Sequence, residues 1–254
     1  MNRNLKNALA LGVLVLLGIA NVANAQTYTF LPNDAMINSA VNTNNTVVGY
    51  ASGTFDANYN PHFTNPSSPK VSIVSGGNIQ ERLYSFNSSA VTMNGGHIGY
   101  LAVAKDNSTI AIGGGSVDYL FAQDSSHINL TGGNIGVEVH ADNSSVVNIR
   151  GGVIGQGLYA FGLGGTGGTL NIYGANLTAT LINPAYNTYY SQYAFSGTLQ
   201  DGTVYNNRNL VIQNGTAASF HLIPTAVSTP APSSVLVVLL GAVPLVGVLR
   251  RRRK

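Results

Sequence analysis

Short stretches of alternating apolar and polar residues recur through the middle of the chain, each placed between a polar turn and a pair of glycines. The alternation is seen in Val91-Thr92-Met93, Ile110-Ala111-Ile112, Ile128-Asn129-Leu130 and Val147-Asn148-Ile149. Segments of the form Gly-Gly-x-aliphatic recur in nearly equal steps, beginning at Gly76, Gly95, Gly114, Gly132 and Gly151. A period of two predicts short strands with one buried face. Since the repeat is too short for a pair of helices, each unit is predicted to be one coil of a β-helix.

The repeat also predicts what fills the interior. Successive coils place equivalent residues about 4.8 Å apart along the axis. Three internal stacks are expected: Val91, Ile110, Ile128 and Val147; Met93, Ile112, Leu130 and Ile149; and Ile79, Ile98, Val117, Ile135 and Ile154. The strand after the glycines is less regular, and there Tyr100, Tyr119 and Val137 align, as do Ala102, Phe121 and Val139. We expect an all-β fold, a single-stranded, right-handed parallel β-helix (β-solenoid) with coils of about 19 residues.

The segment 1–25 differs from the repeats and has the parts of a secretory signal peptide. Arg3 and Lys6 precede an apolar run over 8–20, and the small-residue motif Ala23-Asn24-Ala25 follows. This order predicts a signal helix that is cleaved after Ala25, so that the mature chain begins at Gln26. The alternative is a transmembrane anchor, but the run is shorter than the roughly 20 residues that a spanning helix needs.

The segment 229–254 has three parts. Pro230-Ala231-Pro232-Ser233-Ser234 is followed by an apolar run over 235–249, and the sequence then closes with Arg250, Arg251, Arg252, Arg253 and Lys254. A helix over that run is ~22 Å long, against ~30 Å of hydrocarbon. Arg side chains at its end can still reach the cytoplasmic headgroups. We therefore expect a short C-terminal transmembrane helix with a cationic stop, and a body outside the cytoplasm.

In the order of its parts and in its place at the C-terminus, this tail resembles a PEP-CTERM sorting signal. The motif is Pro230-Ala231-Pro232-Ser233-Ser234, in which Ala231 stands where that family usually has Glu. The resemblance implies processing by an exosortase-like membrane enzyme in a bacterium that makes exopolysaccharide. Export by the Sec machinery, signal peptidase cleavage and transient residence in the inner membrane would precede arrival at the cell surface or in a biofilm matrix. A plain tail anchor is the alternative.

Together these features predict five regions. They are the signal peptide, 1–25; an N-terminal cap region, 26–69; the β-helix repeats, 70–182; a C-terminal β cap and linker, 183–228; and the sorting signal, 229–254. Caps are expected because the open end of a solenoid is an unpaired sheet edge.

Charge and composition exclude several classes of function. The formal charge is +3, but the body between the two end segments has five basic and nine acidic residues, a balance of −4. An acidic body does not suit nucleic acid as a partner. The chain has no cysteine, which excludes disulfides, thiolate metal sites and thiol catalysis. We expect no cofactor.

The turns contain the one candidate metal site. Asp106, Asp124 and Asp142 recur at equal spacing, and stacked carboxylates ~5 Å apart would repel unless a cation bridged them. A Ca²⁺ ladder is one interpretation. The favoured one is that these residues start each turn by hydrogen bonding to their own backbone, with no metal bound.

The pattern as a whole predicts an exported, non-enzymatic protein of the surface or extracellular matrix, with no catalytic residues. Its uncharged Asn, Ser, Thr and Tyr faces suit contact with exopolysaccharide. The alternatives are a carbohydrate-active β-helix enzyme (polysaccharide lyase or hydrolase) and a carbohydrate-binding surface adhesin. An enzyme would need paired carboxylates, or carboxylates with Ca²⁺ and a basic residue.

Overall fold

A computed structural model describes residues 28–41, 45–55, 61–162, 166–187 and 189–227. Within them the secondary structure consists of strands, with no helix. None of these residues forms a helix of the length and apolarity needed to cross a bilayer. The strands are β1 (Tyr28–Leu31), β2 (Ala35–Ile37), β3 (Ala40–Val41), β4 (Asn45–Val48), β5 (Tyr50–Phe55), β6 (Pro61–Pro66), β7 (Lys70–Ile73), β8 (Asn78–Ile79), β9 (Arg82–Ser85), β10 (Ala90–Ala104), β11 (Thr109–Ala122), β12 (His127–Asp142), β13 (Val146–Ile154), β14 (Gly157–Phe161), β15 (Thr169–Asn187), β16 (Tyr190–Leu199), β17 (Val204–Gln213) and β18 (Ser219–Pro224).

The strands wind into a parallel β-solenoid of about seven turns with three sides. The first side is built from β2, β7, the first parts of β10 to β13, the start of β15, and β18. The second side contains β3, β8 and the segments that come after the glycine pairs. The third side contains β1, β4, β9, the last parts of β10 to β12, β14 and β17. The predicted all-β solenoid is confirmed, and right-handed winding stays a prediction.

The three predicted aliphatic stacks are confirmed. Each member pairs in register with its counterpart in the next coil, as in the row Val91, Ile110, Ile128, Val147. All members of the three stacks are at most 1% exposed. This dry interior supplies the main driving force for folding, since burying one such side chain stabilises the protein by roughly 1.5–3 kcal/mol.

The glycine pairs form the corner between the first and second sides. The second glycine of four pairs has a positive φ, for example +86° at Gly115. A Cβ atom at Gly115 would lie 2.7 Å from the carbonyl oxygens of both Gly95 and Gly96 in the preceding coil. The corner therefore needs glycine for its backbone conformation and for the close approach of the coil below.

The third side corrects the register expected after the glycines. Tyr119 pairs with Leu101, and Phe121 pairs with Val103, so neither pairs with Tyr100 or Ala102 as the sequence pattern predicts. The reason is a corner that is one residue shorter in β11, where only Asp118 separates Val117 from Tyr119. As a result Phe121 faces outward on the third side, and Leu120 fills the interior at 0% exposure.

Coil strands also occur outside the range in which the repeat is recognisable in the sequence. Within 26–69, β2, β3 and β4 form a coil on which the next coil stacks, and β5 and β6 form an antiparallel hairpin beside it. At the other end β15, β16 and β17 make an antiparallel meander. The chain then rejoins the solenoid, because β17 pairs in parallel with β14 and β18 pairs in parallel with β15.

Candidate functional site

A column of large side chains faces outward on the third side of the solenoid. In consecutive coils the position holds Val103, Phe121, His140 and Tyr159. Strand alternation places these side chains outward because Ala102, Leu120, Val139 and Leu158 face the core. Parallel stacking then sets neighbouring rings one coil apart, at about 4.8 Å.

Rings at the neighbouring positions extend this column into a continuous aromatic band. The ring centroids are 4.2 Å apart for Phe121 and His140, and 4.7 Å apart for His140 and Tyr159, whose planes are 16° from parallel. Further contacts of 5.1 to 6.2 Å complete the chain of rings. We define the aromatic band as Tyr100, Tyr119, Phe121, His140, Tyr159, Phe161 and Tyr190. None of these side chains is buried, and Tyr100 is 44% exposed.

One end of the aromatic band borders a cavity of about 410 Å³, which we call the basic cavity. Its lining includes Arg82, Tyr84, Lys105 and Gln123 in addition to band residues. The guanidinium carbon of Arg82 lies 5.4 Å from the centre of the Tyr100 ring, and its Nη1 donates a hydrogen bond of 3.4 Å to the Tyr84 hydroxyl. These contacts hold one cation at the mouth of the cavity.

The other end borders a second cavity of about 290 Å³, which we call the acidic cavity. Asp142, Asn143, Gln213 and Gln123 contribute polar groups to its lining, beside Phe161 and Tyr190. Burial raises the pKa of Asp142, while the nearby His140 and a hydrogen bond from Gln123 act in the opposite direction. Gln123 contributes to the lining of both cavities.

One acid–base pair lies within the aromatic band itself. The His140 Nε2 and the Glu138 Oε2 are 2.9 Å apart. Glu138, His140 and Asp142 alternate along β12, so all three side chains are on the outer face of the same strand. The carboxylate fixes the orientation of the imidazole and thereby the position of the ring between Phe121 and Tyr159.

At two of the three predicted aspartate positions the carboxylate bonds to a backbone N–H of the preceding coil, and not to its own turn as the favoured interpretation had it. Asp106 Oδ2 accepts a hydrogen bond from the Asn87 backbone N–H at 2.9 Å, and Asp124 Oδ2 accepts one from the Asp106 N–H at 3.3 Å. Both residues have a left-handed backbone, with φ of 56° and 60°. The next coil has Asn143 in that conformation, at 58°, and Asp142 instead lines the acidic cavity.

Buried serines complete these turns. Ser89, Ser108, Ser126 and Ser145 are at most 1% exposed. The hydroxyl of Ser126 donates to the Ala104 carbonyl of the preceding coil at 3.0 Å and accepts from the Gln123 N–H at 3.0 Å. The turns are thus satisfied by backbone and hydroxyl groups. In the part of the chain that the structure describes, no cluster of three or more Asp, Glu or His residues is arranged to hold a metal ion.

The predicted processing residues lie outside the described residues. They are Ala23, Ala25 and Gln26 at the signal cleavage site, Pro230 to Ser234 in the sorting motif, and Arg250 to Lys254 at the membrane stop.

Sequence reasoning missed the aromatic band. The signal was present in Phe121, His140 and Tyr159, which recur with the same period as the core positions. This signal was hidden because the corner at Asp118 is one residue shorter than the others. Counting from the glycine pairs therefore aligns Phe121 with the inward-facing Ala102, although it pairs with Val103.

No protein-family model, curated protein or solved structure matches this chain.

Proposed function

We propose that the protein is an exported, non-enzymatic β-solenoid of the cell surface or extracellular matrix that binds polysaccharide along its aromatic band. The observation that carries this proposal is the row of ring contacts from Tyr100 to Tyr190, partly exposed to solvent and bordered by two cavities that contain polar groups. A partly exposed apolar strip with polar groups at its margin is a typical recognition surface.

The spacing of the band suits an extended sugar chain. The rings of Phe121, His140 and Tyr159 lie one coil apart, at about 4.8 Å, and this is close to the length of one hexose unit in an extended polysaccharide. Because these rings stack on one another, with His140 and Tyr159 only 16° from parallel, their faces cover each other and their edges are left for a ligand. The edge of an aromatic ring is positive and suits the hydroxyl oxygens of a sugar, so a chain lying along the solenoid axis can place successive sugars against successive ring edges.

The margins of the band suit hydroxyl groups. Gln123, Asn143 and Gln213 offer both donors and acceptors, and Asp142 offers a carboxyl group. A few such polar groups beside an apolar floor orient a ligand and discriminate between its isomers.

The binding proposal is tested by measuring the affinity of the full-length protein for a set of neutral and acidic exopolysaccharides. We expect Phe121→Ala and Tyr159→Ala each to weaken binding by about tenfold, equivalent to about 1.4 kcal/mol. Tyr189→Ala is the matched control, because Tyr189 is 65% exposed and lies outside the band. Equal affinities for all four proteins, or no binding to any polymer, would refute the proposal.

Export and sorting form the second part of the proposal. Their support is the signal-like segment 1–25 and the tail 229–254, whose expected partners are the Sec machinery, signal peptidase, an exosortase-like enzyme and, transiently, the inner membrane. Deleting 229–254 should abolish attachment to the cell surface or matrix, as measured by fractionation of the producing bacterium. If the truncated and full-length proteins fractionate alike, the sorting assignment fails.

A second candidate function, a polysaccharide lyase or hydrolase, is favoured by one observation. The raised pKa of Asp142, in a cavity beside His140, suits a general acid. Against it, Asp142 is the only carboxyl group among the described residues that line this cavity, whereas glycosidases use a pair of carboxyl groups ~5–9.5 Å apart. Shortened chains or new unsaturated ends that form with the wild type and not with Asp142→Asn would establish this candidate in place of the first.

A further inference from the structure

The cations of the body are unevenly distributed. The body has five Lys and Arg residues, Lys70, Arg82, Lys105, Arg150 and Arg208, against nine acids. Two of the five, Arg82 and Lys105, line one cavity. Two others are engaged elsewhere: the Arg150 guanidinium carbon lies 3.8 Å from the centre of the Tyr173 ring, and Arg208 Nη1 donates to the Gly155 carbonyl.

The basic cavity combines these charges with an apolar floor. Arg82 lies at the start of the third-side strand in its coil, and Lys105 comes directly after the equivalent strand of the next coil. Between them Leu101 and Val103 form the floor, while Tyr84 and Phe121 stand at the sides. Among the described residues, no aspartate or glutamate lines this cavity.

We infer that the basic cavity is the subsite for a uronic acid residue of the bound polysaccharide. The inference rests on the proposed function and names its ligand class. A uronate has an apolar ring face for the aliphatic floor of Leu101 and Val103, and one carboxylate for Arg82 or Lys105. The rest of the body is acidic and repels a polyanion, so Arg82 and Lys105 determine where on the protein surface the uronate binds.

The acidic cavity acts on a sugar further along the band. Asp142 lines that cavity together with amide side chains, and in the described part of the chain no lysine or arginine joins them. Such a site accepts a neutral sugar through hydroxyl groups and disfavours a second carboxylate. The preferred polymer is therefore one that contains both uronate and neutral sugars, and a polymer made only of uronate should bind more weakly.

The test compares polymers that differ only in charge. Hyaluronan, which alternates glucuronate with a neutral amino sugar, alginate and polygalacturonate are each compared with their methyl esters in binding to the full-length protein. We expect hyaluronan to bind about tenfold more tightly than its ester, and more tightly than alginate or polygalacturonate. Raising the salt concentration should weaken binding of the acid and leave binding of the ester unchanged.

Substitutions of the two cations test whether the basic cavity is the place where the carboxylate binds. Lys105→Gln and Arg82→Gln should each weaken hyaluronan binding about tenfold without changing the affinity for the ester. Lys70→Gln is the matched control, because it removes the same charge from the first side. Lys105→Gln keeps the test valid if Arg82→Gln disturbs the packing on Tyr100. Acid and ester forms that bind equally well would overturn the uronate inference alone. No binding to any polymer, or full binding by Phe121→Ala, would refute the proposed function as well.

Discussion

Replacing Gly115 by alanine tests why the glycine pairs recur. Gly115 has a φ of +86°, and a Cβ atom there would lie 2.6 Å from the Met93 Cε and 2.7 Å from the carbonyl oxygens of Gly95 and Gly96. The methionine can move away, but the two carbonyls belong to the preceding coil and are fixed by its ladder. The left-handed backbone costs alanine about 1–2 kcal/mol, and overpacking adds about 1–3 kcal/mol. We expect a loss of about 2–5 kcal/mol in the free energy of unfolding.

The matched control is Gly113→Ala, two positions earlier in the same coil. Gly113 is exposed and has no positive φ, and the nearest atom to its added Cβ would be the Oδ1 of the Asn94 side chain, at 2.9 Å. Thermal unfolding followed by circular dichroism should show a lower melting temperature for Gly115→Ala than for Gly113→Ala. Amide exchange should accelerate first in β10 and β11, since coils contact chiefly their neighbours. Equal melting temperatures for the two variants would refute the reasoning.

Three further predictions concern buried polar groups. Ser126→Ala should lower the free energy of unfolding by about 1–3 kcal/mol in chemical denaturation, because the hydroxyl is buried and bonded twice, whereas the exposed Ser125→Ala should have no effect. Tyr205→Phe should destabilise by about 1–3 kcal/mol, since the buried hydroxyl donates to the Gly152 carbonyl and accepts from the Ile154 N–H. Burial raises the pKa of Tyr205 to about 12, so absorbance titration of the native protein should show this tyrosine ionising later than those with the ordinary value of 10. Burial raises the pKa of Asp142, so the contribution of this carboxyl group to the free energy of unfolding is complete below its ordinary pKa of 3.8 and is lost as the pH rises through the raised pKa. Asp142→Asn should remove this part of the pH dependence of stability. A variant whose free energy of unfolding depends on pH as the wild type's does would contradict the prediction.

The core could be predicted from sequence because its constraints are local and repeated. Every coil needs an aliphatic residue at the positions of Val91, Met93 and Ile98, and a residue without a side chain at the corner between them. Any other choice would leave a cavity or a clash in a dry interior. Five recurrences of one local pattern therefore identify the coil, its length and its buried face.

The outer face was harder to predict because it has no such constraint. A solvent-facing position accepts many residues, so a one-residue change in a corner, as at Asp118, alters the alignment without leaving a trace in the core pattern. The aromatic band becomes visible only when the register is known.

The pairing of β17 with the solenoid could not be predicted from the local sequence either. β14 pairs with β17, although Leu158 and its partner Leu210 are far apart in the sequence. The Gly-rich stretch over 162–168 and the meander between them lack the period of the repeats, so nothing local connects the two strands. Tertiary pairing of an isolated apolar segment, Leu210-Val211-Ile212, decides the topology there.

The hydrogen bonds between the turns of successive coils determine how the solenoid can change in length. The carboxylates of Asp106 and Asp124 each accept a hydrogen bond from the backbone of the coil before, so the coil from Asp106 to Gln123 makes the same kind of turn contact with the coils on both sides. Adding or removing one whole repeat unit leaves both interfaces matched, while a change in length within a paired strand shifts the ladder and breaks them. The third side therefore gains or loses one outward position with each repeat, and the proposed function predicts that the length of polysaccharide bound changes with the number of repeats.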